Sequence, residues 1–255
     1  MTENTKLTNQ LFLVTGASSG LGLAVALQLI QNGHKVFLVA RRENILQEMS
    51  EKYPKQVHYY AGDVCAELFI KQLALKLPDN ITGAFINAGG PPAKTTLETT
   101  LQDWDLAYNQ LIRWKIQLTQ ILIPKFQANI YGRIVFSEST SITRPVKNLI
   151  LSNSLRMAII GLVKTLALEH EKSGITFNIL APGYHATKAL DRLYEKLSLQ
   201  DKTTIKDAKV KIASSVPVGN IGSVEDYASL AAWLLSEKSS FVTGQIFNID
   251  GGASI

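Results

Sequence analysis

The chain has 255 residues, 46% of them hydrophobic and 18% charged, which suits one α/β domain with a full core. Its formal net charge of +5 comes without a run of five basic residues, an RNP-like pattern or zinc-finger spacing, so a nucleic-acid surface is not expected. Cys65 is the sole cysteine and the histidines are scattered, which excludes an intrachain disulfide and argues against a structural metal. The start is polar and no apolar run reaches the ~20 residues of a membrane span, so a soluble, cytoplasmic protein without membrane contact is expected.

Apolar, β-rich runs alternate with helical-period segments along the whole chain. Strands are predicted at residues 11–15, 35–39, 57–60, 83–86, 133–137, 176–180 and 245–249, all rich in the residues of strands buried on both faces. Helices fill the gaps, the long ones at 101–127 and 151–172. Right-handed crossovers then require a doubly wound, seven-stranded parallel sheet of the Rossmann type with helices on both faces, as a single domain over residues 1–255. Ligands of such sheets bind beyond the carboxyl ends of the strands, so the residues closing each strand are the candidates. Residues 187–216 contain no evident strand and are expected to form a helical lid over that crevice. Between 188 and 211 this segment holds seven basic residues against four acidic ones, either a solvated helical face or a basic lid that attracts an anionic substrate.

Thr15-Gly16-Ala17-Ser18-Ser19-Gly20-Leu21-Gly22 follows the first strand and opens the first helix, where helix N–H groups would meet a dinucleotide's pyrophosphate. The second strand ends Val39-Ala40-Arg41-Arg42, with no carboxylate at its tip. Arginine there grips a 2′-phosphate, so NADP(H) is favoured over NAD(H). Further strand ends read Gly62-Asp63-Val64, Asn87-Ala88-Gly89-Gly90 and Pro182-Gly183-Tyr184-His185-Ala186-Thr187, and the chain closes with Val242-Thr243-Gly244-Gln245 and Asp250-Gly251-Gly252. Asp63 can serve as a helix N-cap.

These motifs, in this order, resemble those of the short-chain dehydrogenase/reductase family, above all its 3-oxoacyl-(acyl-carrier-protein) reductase branch. The resemblance implies that Asp63 meets the adenine amino group, that Asn87, Ala88 and Gly89 lie along the cofactor, and that Pro182, Gly183, His185 and Thr187 border the nicotinamide carboxamide. It also implies a reaction centre of Asn, Ser, Tyr and Lys. Gly132-Arg133-Ile134-Val135-Phe136-Ser137-Glu138-Ser139 places the serine at Ser139, and the family's interval from there, anchored again by Gly161-Leu162-Val163-Lys164, reaches Ser152 for the tyrosine and Arg156 for the lysine. The asparagine position falls on Leu111. Three of four residues are thus replaced.

A serine hydroxyl ends roughly 4 Å short of a phenol oxygen and is a far weaker acid, so Ser152 cannot inherit the tyrosine's role directly. Arg156 can still bond a ribose. A proton could instead come through water held by Ser139 and Ser152, from Tyr184 or His185, or from bulk solvent. Glu138 is a weaker candidate, able simply to cap or solvate its loop. The expected function is NADP(H)-dependent hydride transfer to or from a carbonyl or alcohol by a non-standard proton relay, on a small-molecule or acyl-thioester substrate. The alternative is a non-catalytic NADP(H)-binding sensor or assembly protein. The resemblance further implies a homodimer or homotetramer, and Tyr108, Leu111, Trp114, Leu118, Leu122 and Phe126 suit either a partner face or the subunit's own core.

Overall fold

The computed structural model describes residues 9–255; the polar stretch at residues 1–8 and what was expected of it lie outside them. Strands β1 (Leu11–Thr15), β2 (Lys35–Ala40), β3 (Val57–Ala61), β4 (Ile81–Ile86), β5 (Gly132–Ser137), β6 (Ile175–Pro182) and β7 (Ile246–Ile249) pair in parallel in the order β3-β2-β1-β4-β5-β6-β7. Side chains alternate across the sheet, as the strand period of two requires. Leu11 and Leu13 join one core, which is covered by α3 (Glu67–Lys76), α5 (Trp114–Ala128) and α6 (Ile150–Glu169). Phe12 and Val14 join the other, covered by α1 (Gly20–Gln31), α2 (Glu43–Lys52) and α9 (Val224–Leu235). The chain reverses its direction of growth between β1 and β4, and the crevice that this opens is the expected ligand site.

The expected strands are all present, several of them longer by a residue or two at an end, because sheet pairing extends beyond the apolar run. The expected lid is a pair of helices, α7 (Lys188–Asp201) and α8 (Ile205–Ser214), packed on a small core of their own formed by Leu190, Tyr194, Ala208 and Ile212. By length and composition α6 could cross a membrane, although Arg156 and Lys164 interrupt its apolar run. Its Leu151, Ile159, Val163 and Leu166 are buried, and apolar composition of this kind also serves a helix that lies on a sheet.

The helix expected over residues 101–127 is not continuous. It runs as α4 (Leu101–Tyr108), a π-helical turn (Asn109–Arg113) and then α5. A π turn takes in an extra residue, which rotates everything after it by about 100° relative to an unbroken α-helix. It also loosens the backbone ladder, and here the Trp114 indole N–H donates to the Gln110 carbonyl at 2.7 Å. Leu111, where the asparagine was expected, is buried within this turn. Leu111, Trp114, Leu118, Leu122 and Phe126 are all buried inside the subunit, so only Tyr108 of the six remains for a partner face.

Candidate active site

The crevice is built from β1 outward. Thr15 Oγ1 donates to the Asn87 carbonyl at 2.8 Å and accepts from the Asn87 N–H at 2.7 Å, which ties the end of β1 to the end of β4. Gly16 turns the chain at φ +64°, and a Cβ on Gly22 would lie 2.3 Å from the Gly16 carbonyl oxygen. Helix and loop therefore touch backbone to backbone at Gly22. Ser19, at the N-cap of α1, makes no side-chain cap bond, and no acidic side chain occupies the first turn. The N-terminal N–H groups of α1 thus face the crevice with a favourable dipole for a phosphate.

Arg42 reaches back to this loop, donating to Ser18 Oγ at 3.0 and 3.2 Å and to the Ser18 carbonyl at 2.9 Å, while Arg41 is exposed beside it. Two guanidinium groups and a serine hydroxyl at the tip of β2 make an anion site suited to a 2′-phosphate. Asp63 caps a turn rather than a helix: its Oδ1 accepts from the Cys65 N–H at 2.9 Å, and the N-cap of α3 is Ala66. Val64 is buried, and Leu21 and Ala88 pack partly buried against the two cores. Gly89 has open space around it, as a surface lying along a cofactor needs. Gly183 donates its N–H to Ile249 at 3.0 Å and continues the β6–β7 ladder beyond Pro182. The methyl group of Thr187 lies 3.4 Å from where a Gly20 Cβ would be, so the lid's first residue closes onto the glycine loop. Glycine loop, free helix end and arginine pair together fit NADP(H).

At the end of β5 the side chains continue to alternate. Ile134 and Phe136 face the α5/α6 core, and Glu138, whose N–H extends the ladder to Leu180 at 3.0 Å, points the same way. There its carboxylate meets two cations. Lys115 Nζ donates to Oε1, and Arg156 NH1 donates to Oε2 at 2.8 Å. The Glu138 side chain is 0% exposed, that of Lys115 2% and that of Arg156 8%. Glu138 therefore does not solvate its loop but holds a buried ion network across α5, β5 and α6. Burial pushes the Lys115 ammonium below its usual range, with Arg156 adding to the effect and Glu138 opposing it.

Arg156 also donates through Nε to Ser152 Oγ at 2.9 Å, one helical turn back. Its NH2 approaches the strand-end loop, 3.1 Å from where a Gly90 Cβ would be. The arginine that the sequence offers for a ribose is thus anchored first to Glu138 and Ser152. Ser139 lies next to Glu138 at the N-cap of a short 3-10 turn, and its Oγ accepts from the Ser141 N–H at 3.2 Å. Lys115 had no place among the candidates drawn from the motifs. Its signal is present nonetheless: a lone lysine between Trp114 and Leu118, on a helix whose neighbouring positions are buried.

The two alternative proton donors, Tyr184 and His185, follow β6 and turn to opposite sides. The His185 ring is buried edge-on against Tyr227 of α9 at 5.4 Å, with Nδ1 3.3 Å from the Gly183 carbonyl, and burial lowers its pKa. Tyr227, whose own pKa burial raises, donates to Ser137 Oγ at 2.8 Å, on the sheet face opposite to Glu138. Tyr184 packs against the lid's core and, with His185, lines a cavity of about 150 Å³ between residues 218–222, α9 and the end of β7. The alternation of side chains after β6 explains both placements: His185 turns inward toward α9 and Tyr184 toward the lid.

Comparison with known proteins bears on the family and the fold. The enoyl-(acyl carrier protein) reductase family model matches residues 16–254. Dehydrogenase/reductase SDR family member 6 of Rattus norvegicus is 30% identical over 251 residues, 98% of this chain and 99% of that protein. The 3-oxoacyl-(acyl-carrier-protein) reductase FabG of Thermotoga maritima is 30% identical over 258 residues, 98% of this chain and 100% of that protein. Among solved structures, L-sorbose reductase from Gluconobacter frateurii, complexed with NADPH and L-sorbose, superposes with a TM-score of 0.91 at 25% identity over 99% of each chain.

Proposed function

Because this chain belongs to the short-chain dehydrogenase/reductase family, we propose that it is an NADP(H)-dependent reductase that polarises its substrate carbonyl with two serine hydroxyls in place of a tyrosine. The observation that carries the reading is the state of those hydroxyls. Ser152 Oγ accepts an N–H bond from Arg156, and Ser139 Oγ accepts one from Ser141, which leaves the O–H of each free to donate.

NADP(H), when bound, supplies the hydride. The α1 N-terminus, Ser18, Arg41 and Arg42 would hold its phosphates, and Asn87 to Gly90 would support the nicotinamide end. The two free O–H groups form an electrostatic cradle for the negative charge that develops on a carbonyl oxygen, and the Arg156 charge behind Ser152 strengthens its hydroxyl as a donor. Arginine does not give up its proton, so Arg156 interrupts any proton path from Lys115 or Glu138 to Ser152. The proton that completes the alcohol therefore comes from water. Substrates are small-molecule carbonyls or acyl thioesters, in keeping with the FabG relative and the basic lid. A homodimer or homotetramer is part of this reading, with exposed Leu101 and Leu106 of α4 available beside Tyr108.

Loss of one such donor costs about 10²–10³-fold in rate. Ser139→Ala is therefore expected to lower kcat/KM for NADPH-dependent reduction by that factor, with NADPH affinity measured by nicotinamide fluorescence unchanged. Full turnover by Ser139→Ala would remove the serine from this role.

A further inference from the structure

Arg156 and Ser152 have parts in the proposed reduction, and Lys115 and Glu138 have none. Both are almost wholly enclosed, and buried charges persist where they are paired and hydrogen-bonded. The pairing here is specific in its connections. One Glu138 oxygen takes Lys115 and the other takes Arg156, so the carboxylate is held at both ends by groups from two different helices. Arg156 is likewise held at two points, NH1 by Glu138 and Nε by Ser152, which fixes the plane of its guanidinium. Lys115 lies two residues beyond the π turn, on the buried side of α5. That turn, the buried lysine, the carboxylate and the arginine form one continuous assembly ending at Ser152.

We propose that Lys115 and Glu138 form a buried electrostatic bracket that positions Arg156 against Ser152, making Glu138 a positioning residue for the reduction. Lys115 binds the oxygen that Arg156 does not use, and so keeps Glu138 from turning both oxygens onto the guanidinium and drawing it off the serine. The proposal rests on the reading of Ser152 and Arg156 given above.

The test combines turnover with a measurement on Arg156 itself. Glu138→Gln keeps the side chain's shape and removes its charge. Misplacement of a group by about 1 Å can cost about a hundredfold in rate, so kcat for NADPH-dependent reduction is expected to fall about ten- to a hundredfold, with NADPH affinity held within about threefold. In an Arg156→Ala background the same change is expected to cost nothing further, since Glu138 acts through Arg156. In nitrogen-15 NMR of the full chain with NADPH, the Arg156 Nε–H signal should resist solvent exchange in the native protein and lose that protection in Glu138→Gln. If Glu138→Gln alone fails to fold, Lys115→Met combined with Glu138→Gln removes the cation it strands and should give the same losses. Native kcat in the folded variant, losses that multiply with Arg156→Ala, or an unaltered Nε–H signal would each overturn the proposal. If the native protein reduces no carbonyl, the reading under the previous heading fails, and the NMR result alone decides the bracket.

Discussion

Gly22→Ala is expected to abolish tight NADPH binding while leaving the fold standing. The added methyl would sit 2.3 Å from the Gly16 carbonyl oxygen, 2.8 Å from its carbon and 3.1 Å from Asn87 Nδ2, so it meets backbone rather than a yielding side-chain tip. The glycine loop must move away from α1, and that loop is where the pyrophosphate meets the helix N-terminus. Overpacking of this kind costs about 1–3 kcal/mol. Imposed on the loop geometry that binding requires, this is about a five- to 150-fold loss of affinity. Titration of NADPH fluorescence measures it. Gly161→Ala is the matched control, because nothing lies within 4 Å of its added methyl, and its affinity should equal that of the native protein.

The second large effect is on stability. Glu138→Ala strands Lys115 and Arg156 together without a counter-charge, and breaking a buried ion pair by removing one partner costs about 3–5 kcal/mol. In a domain of this size each kcal/mol lowers Tm by about 2–4 °C, so thermal unfolding should begin roughly 6–20 °C earlier. The sign reverses when all the charges go. Lys115→Met, Glu138→Leu and Arg156→Met together exchange the ion network for apolar side chains of similar bulk, a change that is often neutral or stabilising. That triple variant is expected to recover most of the lost Tm and to remain without reductase activity. Recovery of both would mean that the network serves folding alone.

These residues also mark where the sequence stops being legible. The strand ends carry their own signals, since glycine spacing after β1, the arginines after β2 and the motif after β4 are local patterns read within a few residues. The register that proposes Ser139, Ser152 and Arg156 for the reaction centre is local in the same sense, because it is counted from neighbours along one chain segment. Lys115 is different. The spacing of Leu111, Leu118 and Leu122 carries it inward, yet nothing local says which carboxylate a buried lysine meets, and the π turn before it is hidden because a continuous helix over residues 101–127 fits the same apolar pattern. Glu138 is paired by two helices distant in sequence, so a carboxylate beside a loop reads equally well as solvated. His185 sits in the right motif, yet the inward turn of its ring toward Tyr227, which lowers its pKa by burial, is decided by packing against α9. What sequence conveys least is which way a polar side chain turns.

A short-chain reductase without its tyrosine, lysine and asparagine is a claim about chemistry, and turnover tests it most directly. NADPH oxidation should be followed with a panel of 3-oxoacyl thioesters, aldehydes and ketones, using the native protein at neutral pH. Consumption of NADPH with at least one member, well above the rate without protein and matched by alcohol product, is the expected result. NADPH binding with no turnover on any member would contradict the account and favour a nucleotide-binding protein that senses or assembles rather than reduces.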